Sequence, residues 1–221
     1  MIRIDSLSLR PLWALLFLLL IGGIRFVGAQ NANKLMEEAV STYENEGGFV
    51  ATFSIQINGI QQNVSEKMDG TIRMQKEKFS IDTPDATIWF DGETQWNLFK
   101  QNEEVNVSTP TTDELMMSNP MTFLQHYKKG FKASYEGERT AMGGKTAYEV
   151  VLTPKVKVDI ASMVLLLDKF SKLPLSIELI LRNGMINKIQ IKSMEKRVQL
   201  PDNSFTFDEA AFPNVEVIDL R

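Results

Sequence analysis

The sequence predicts a mainly β domain of the α+β class. We expect one strongly curved antiparallel sheet of about ten to eleven strands, forming a half-open barrel with short helices on its concave face. Apolar and polar residues alternate along many short segments, as in strands with one buried face. Turn-forming pairs such as Asn58-Gly59 and Asp91-Gly92 separate these segments. Few segments show helical spacing, and a sheet of this length curls when only short helices cover it.

The N-terminus has the pattern of a secretory signal peptide. Arg3 and Arg10 give a positively charged segment before an apolar run from Leu12 to Ile21. Val27-Gly28-Ala29 then fits the small-x-small rule for cleavage after Ala29. An uncleaved membrane anchor is the alternative. A spanning helix needs about 20 mainly apolar residues, and Arg25 interrupts the run. We therefore expect an exported protein.

The expected boundaries are a signal peptide at residues 1–29 and a single domain at residues 30–221. The net charge is −4 without any basic block, which argues against a nucleic-acid partner because phosphate binding needs clustered lysine and arginine. The chain has no cysteine, so an exported fold must be held by packing alone. The missing thiol also excludes cysteine-type zinc sites and lipidation of this chain itself.

Three helical segments are predicted. The first runs from Asn31 to Asn45, where apolar residues recur at helical spacing and Gly47-Gly48 follows. Thr111 or Thr112 can cap a second helix, with Glu114 as the reciprocal partner of a capping box. Pro120 divides this region into two short helices. The remaining segments are predicted strands, the last of them a short one from Phe205 to Phe207.

Catalytic and metal-binding patterns are absent from the sequence. His126 is the single histidine, so neither a Ser-His-Asp set nor a histidine metal site can be assembled around it. The acidic residues are scattered through turns, and no pair of carboxylates stands out for acid–base work. We expect no enzyme activity, no metal and no cofactor.

The candidate binding residues are apolar. Methionine adapts to variable apolar shapes such as an acyl chain. Ordinary core packing is the alternative explanation for all of these residues, and a register error of one residue would exchange the two faces of each strand. The candidate wall consists of Phe53, Ile55, Ile72, Met74, Phe79, Ile81, Trp89 and Trp96, and the candidate cover consists of Met116, Met117, Met121 and Phe123.

The order of these segments resembles the periplasmic outer-membrane lipoprotein carrier (LolA-like) family over nearly the whole mature chain. No single motif is diagnostic, and the match depends on order and spacing. The matching segments are Asp69-Gly-Thr-Ile-Arg-Met, Lys78-Phe-Ser-Ile, Ile88-Trp-Phe-Asp-Gly-Glu-Thr-Gln-Trp, Asn119-Pro-Met-Thr-Phe-Leu and Tyr148-Glu-Val-Val-Leu-Thr-Pro.

The resemblance implies a periplasmic carrier with a hydrophobic cavity. Such a carrier takes the acyl chains of lipoproteins from an inner-membrane ABC lipoprotein-releasing complex, and in many relatives passes them to an outer-membrane acceptor. A monomer is the default expectation. Relatives in the best-known branch have an Arg-Pro pair shortly before the position of Phe79, where the arginine ties the strand to the helical lid. Here the stretch reads Gln75-Lys76, so either the lid is held differently or the gating has diverged.

Two other functions remain open at this point. One is a binding or sensing module of the same fold, which detects lipoproteins or another amphiphile and signals to a partner. The other is a hydrolase acting on lipid or glycan, for which His126 is the only catalytic candidate.

Overall fold

The computed structural model of the chain describes residues 24–59, 63–119 and 121–221. The side chains of residues 24–30, Asp113, Met117, Gln125 and His126 lie outside that description. Residues 1–23 of the expected signal peptide also lie outside it, and cleavage after Ala29 stays a prediction.

The described chain is mainly β. Its helices are α1 (Ile24–Glu46), α2 (Thr112–Ser118) and α3 (Phe123–Gly130). The strands are β1 (Gly48–Gly59), β2 (Val64–Gln75), β3 (Lys78–Asp82), β4 (Ala86–Phe90), β5 (Gln95–Phe99), β6 (Glu104–Ser108), β7 (Phe131–Thr140), β8 (Thr146–Pro154), β9 (Ile160–Asp168), β10 (Pro174–Leu181), β11 (Met185–Lys196) and β12 (Glu216–Asp219). Single 3₁₀ turns occupy Met142–Gly144, Asp202–Phe205 and Glu209–Ala211.

All twelve strands form one sheet, in the order β12-β6-β5-β4-β3-β2-β1-β11-β10-β9-β8-β7. Two antiparallel meanders, β2 to β6 and β7 to β11, are joined through β1, which pairs with both β2 and β11. Among the described residues, β7 and β12 each have one neighbour only, so the sheet is not closed. This arrangement is consistent with a half-open barrel.

The C-terminal region differs from the sequence prediction. The sheet has twelve strands instead of ten or eleven, and it is mixed because β12 runs parallel to β6. Phe205 to Phe207 is not a strand: Ser204 N donates to Pro201 O at 2.9 Å in a 3₁₀ turn that ends at Phe205. After β11 the chain passes against β3 and β4. It then reaches the edge of the sheet, where β12 runs beside β6 in the same direction.

The sheet has an inner face that carries the main hydrophobic core. Cross-strand partners share a face, so the pairs Phe49–Met74, Ile72–Ile81 and Ile81–Ile88 continue one apolar surface from strand to strand. On β7 to β11 the same surface continues through Val150, Leu165 and Ile177.

Helix α1 adds one stripe of buried residues to this core. Ala32, Met36, Ala39 and Tyr43 recur every three or four residues and are at most 5% exposed. The helix contacts β7 and α3. The ring of Tyr43 stacks on Phe49 with centroids 5.1 Å apart. The predicted helix from Asn31 to Asn45 is therefore confirmed, and the observed helix begins earlier.

The opposite face of β3 to β6 carries a second, smaller core. Leu98, Val105 and Val107 are nearly fully buried there, although they are not part of the main core. The C-terminal segment covers them: Phe205 is fully buried, and its 3₁₀ turn contacts β3 and β4. A salt bridge of 2.8 Å from Lys78 Nζ to Asp202 Oδ1 fixes the segment at its start.

Candidate functional site

The candidate site is an apolar cavity of about 230 Å³ on the inner face, which we call the main cavity. It lies where the two meanders meet at β1, β2 and β11, and β3, β4 and β10 complete its wall. None of the described residues that line it carries a charge. They are Phe53, Ile55, Met68, Ile72, Ile81, Thr83, Ile88, Ser118, Asn119, Met121, Ile177, Ile189 and Ile191.

Strand register builds the wall of the main cavity. Ile55 lies between Met68 on β2 and Ile189 on β11, and all three side chains reach the cavity. The next residue along the inner face of β1 is Phe53, which pairs with Gly70 on β2. Because Gly70 has no side chain, the Phe53 ring lies directly over it, and a Cβ added at Gly70 would be 2.5 Å from Phe53 Cζ.

The rim of the main cavity is the link between α2 and α3. Thr111 begins α2 with a capping box, since its side chain accepts from Glu114 N while the Glu114 carboxylate accepts from Thr111 N at 2.7 Å. Asn119 ends the helix and is 3% exposed. Its Oδ1 accepts from Met121 N at 2.9 Å, which places the Met121 side chain on the cavity.

The structure brings five of the candidate residues together. Phe53, Ile55, Ile72, Ile81 and Met121 all line the main cavity.

Met74, Phe79 and Phe123 lie in the adjacent core instead, each at most 1% exposed. The Phe79 ring packs against Phe90 at 5.4 Å between centroids. The side chain of Met117 falls outside the described part of the chain.

Trp89 and Trp96 lie on the other side of the sheet. They are a cross-strand pair, and Trp89 follows Ile88, whose side chain faces the main cavity. The Trp89 ring contacts Phe207 at 5.7 Å and Phe212 at 6.0 Å, so it belongs to the contact with the C-terminal segment. These two tryptophans do not line the main cavity.

Sequence reasoning missed eight lining residues. Three of them are polar (Thr83, Ser118 and Asn119), and five are apolar: Met68, Ile88, Ile177, Ile189 and Ile191. Alternation along β10 and β11 was visible, but nothing in the sequence showed that β11 pairs with β1 and so faces Phe53. Met68 stands among polar residues on β2, and only its register opposite Ile55 reveals its face.

Helix α1 is tied to the turn between β2 and β3. Tyr43 Oη donates to the backbone carbonyl oxygen of Lys76 at 2.9 Å. Burial raises the pKa of Tyr43 far above its ordinary value, so the hydroxyl keeps its proton and stays a donor. Tyr43 thus joins helix α1 to the turn that contains Gln75-Lys76.

A second apolar cavity, of about 380 Å³, lies near the start of β7. We call it the side cavity. Met116, a candidate cover residue, lines it and does not line the main cavity. Its other lining residues are Gly130, Phe131, Pro154, Val156, Val158, Asp159 and Ile160.

The site offers binding and no obvious chemistry. The described lining of the main cavity contains no ionisable side chain that could act as an acid, a base or a nucleophile. In the described part of the chain no group of three or more acidic, histidine or cysteine residues could hold a metal ion. An apolar ligand would gain about 0.8 kcal/mol for each methylene group buried in such a cavity.

The fold is thus an open sheet, and the described lining of its main cavity is apolar and uncharged. The family model described as outer membrane lipoprotein carrier protein LolA matches residues 25–184. The chain belongs to this family, as its segment order predicted. No curated protein sequence matches it.

Solved structures with a similar fold come from several bacteria. An uncharacterised conserved protein from Thermus thermophilus is 13% identical with a TM-score of 0.56, over 86% of this chain and 99% of the other. A putative outer membrane lipoprotein-sorting protein domain from Vibrio parahaemolyticus is 14% identical with a TM-score of 0.47, over 80% and 97%. A LolA superfamily protein from Nitrosomonas europaea is 12% identical with a TM-score of 0.43, over 80% and 97%. At these identities the Thermus structure supports the fold alone.

Among the described residues, no helix combines the length and the apolar character that crossing a bilayer requires.

Proposed function

We propose that this chain is a non-enzymatic periplasmic carrier, which binds the acyl chains of lipoproteins in the main cavity and moves them from the inner to the outer membrane. The observation that carries the proposal is the uncharged, almost wholly apolar main cavity at the junction of the two meanders, in a chain of the LolA family. A lipidated protein cannot cross an aqueous compartment while its acyl chains are exposed, and each buried methylene group contributes about 0.8 kcal/mol to its capture.

The proposed cover of the cavity is formed by α2 and its link to α3. Ser118, Asn119 and Met121 lie on the cavity itself, so displacement of this link would open it. The proposed donor is an inner-membrane ABC lipoprotein-releasing complex, and the proposed recipient is an outer-membrane acceptor. We expect the carrier to act as a monomer, without a cofactor and without nucleic acid.

A pair of variants on neighbouring residues of β1 tests the proposal. Ile55→Glu places a carboxylate on the wall of the main cavity, whereas Gln56→Glu adds the same charge to an exposed residue that faces away from it. Ile55 is half-buried, so the change leaves most of the core intact. We expect Ile55→Glu to abolish binding of a fluorescent monoacylated lipopeptide, because a buried carboxylate cannot stay solvated beside an acyl chain. Gln56→Glu should bind as the unmodified protein does.

The cargo is tested by native mass spectrometry of the protein purified from the periplasm of its own host. Co-purification of triacylated peptide or intact lipoprotein, lost in Ile55→Glu and kept in Gln56→Glu, supports the carrier. The same preparation should release lipoproteins from host spheroplasts. A protein that binds the lipopeptide yet releases nothing contradicts the transport step and favours a sensing module; a protein that binds no acylated probe contradicts both.

A further inference from the structure

The side cavity is a built apolar site, one wall of which is held by backbone hydrogen bonds. One wall is the loop between β8 and β9, which is joined to the end of α3 because Lys155 N donates to Gly130 O at 2.8 Å. The far end of that loop is held by Arg182, whose backbone N–H donates to Asp159 O at 2.8 Å and whose Nε donates to Val158 O at 2.7 Å. The cavity therefore does not depend on a loosely placed loop.

Helix α2 separates the two cavities. Met116 lines the side cavity, while Ser118 at the end of the same helix lines the main cavity. Two residues along an α-helix correspond to a rotation of about 200°, so these side chains leave opposite sides of the helix. One short helix is thus the partition between two apolar spaces.

None of the described side chains of helix α2 is fully buried. Its apolar residues Leu115 and Met116 are only half-buried against the main core. By contrast, Met36 on α1 and Phe123 and Leu124 on α3 are at most 1% exposed. A displacement of α2 would join the main and side cavities, because its residues Met116 and Ser118 line one cavity each.

We propose that the side cavity is a second subsite for an alkyl chain, so that the ligand class is an amphiphile with two or more acyl chains divided by α2. This inference rests on the proposed carrier function and deepens it. Cavities for drug-sized ligands occupy roughly 300–1,000 Å³. The main cavity, at about 230 Å³, is below that range, and the side cavity, at about 380 Å³, is near its lower end. Each space therefore suits one chain at most.

The first chain enters the main cavity, because the lining of that cavity has no charged group. The side cavity includes Asp159 and is bordered by Val156, which is 67% exposed. A single alkyl chain gains more in the uncharged main cavity, and only a second chain would fill the side cavity.

Gly130 provides a substitution that blocks the side cavity alone. It lines this cavity, and a Cβ added there meets no atom within 4 Å. Gly130→Leu fills the space with an apolar group, and Gly130→Glu introduces a charge. Because Lys128 and Lys129 lie beside Gly130 and could neutralise the glutamate, the leucine variant is the decisive one. Thr153→Glu is the control for charge, since Thr153 is exposed and precedes the lining residue Pro154.

The experiment titrates these full-length proteins with two labelled synthetic lipopeptides that share one peptide and carry either one or two palmitoyl chains. The unmodified protein should bind the diacylated probe more tightly than the monoacylated probe. Gly130→Leu and Gly130→Glu should lower the affinity for the diacylated probe by about tenfold or more and change that for the monoacylated probe by less than about twofold. Thr153→Glu should change neither.

Equal affinity of the unmodified protein for the two probes overturns the second subsite and leaves the carrier proposal in place. The second subsite is also overturned if Gly130→Leu lowers the affinities for the diacylated and the monoacylated probe equally, or lowers neither. If the unmodified protein binds neither probe, the carrier function fails and the subsite fails with it.

Discussion

Gly70→Ala is expected to destabilise the protein through two close neighbours, Phe53 and the backbone of Asp82, and to narrow the main cavity through Phe53. The added methyl group would lie 2.5 Å from Phe53 Cζ and 2.8 Å from the carbonyl oxygen of Asp82. Ordinary van der Waals contact begins at 3.4 Å, so the ring must retreat by about 0.9 Å toward the cavity that it lines. Overpacking of this kind typically costs about 1–3 kcal/mol.

A double-mutant cycle with Phe53→Leu isolates that contact. Leucine has no atom at the position of Cζ, so the methyl group at residue 70 should fit better beside it. We expect the double variant to lose less free energy of unfolding than the two single variants lose together, with a coupling free energy of about 0.5–3 kcal/mol. Part of the destabilisation should persist, because the backbone oxygen of Asp82 is unchanged.

Urea unfolding of the four proteins gives the free energies, provided that the slope of the transition is unchanged. The affinity for the monoacylated lipopeptide should fall in Gly70→Ala and recover in the double variant. If the two substitutions are additive within about 0.3 kcal/mol, Phe53 does not lie over Gly70 and the assigned wall of the cavity is wrong.

Three further predictions concern the connections around this wall. Tyr43→Phe keeps the ring stack and removes the hydrogen bond to Lys76, so urea unfolding should show a loss of about 0.5–1.5 kcal/mol, and no loss would contradict the tie. The hydrogen bond from Lys196 lowers the pKa of Glu46. The ionised Glu46 carboxylate therefore stabilises the fold fully above the ordinary glutamate pKa, and this stabilisation is lost as the pH falls through the lowered pKa. Glu46→Gln should therefore lose less stability than the unmodified protein between about pH 6 and 3, and parallel pH profiles would refute this. Phe205→Ala should reduce stability by about 3–5 kcal/mol in the same assay while the folded protein binds the monoacylated probe normally, and lost binding would mean that the second core reaches the cavity.

Local features of the fold could be predicted from the sequence because neighbouring residues determine them. The capping box of Thr111 and Glu114 forms as expected. The Asp91-Gly92 hairpin also forms, and Asp91 Oδ1 accepts from Glu93 N at 2.9 Å and Thr94 N at 2.8 Å. In each case the hydrogen bonds join residues within three positions of each other, so the sequence motif contains both partners.

The face of each strand could not be predicted where both faces are covered. Ile88, Trp89 and Phe90 are consecutive apolar residues, so alternation gives no sign of which face is inner. The C-terminal segment decides it, since Phe207 and Phe212 contact Trp89 from the other side of the sheet. The parallel strand β12 could not be predicted either, for a different reason. Its place beside β6 depends on contacts with residues more than a hundred positions earlier in the chain.

The position of the main cavity follows from the sizes of the side chains along the inner face. At the start of β1, Phe49 pairs with Met74 and Tyr43 stacks on it, and all three are nearly fully buried. Four residues further along β1, Phe53 lies opposite Gly70, so the partner strand contributes no side chain there. From helix α1, Tyr43 packs at the first of these positions. The inner face is therefore filled by large side chains around Phe49, whereas beside Phe53 it borders the main cavity, which the end of α2 also lines.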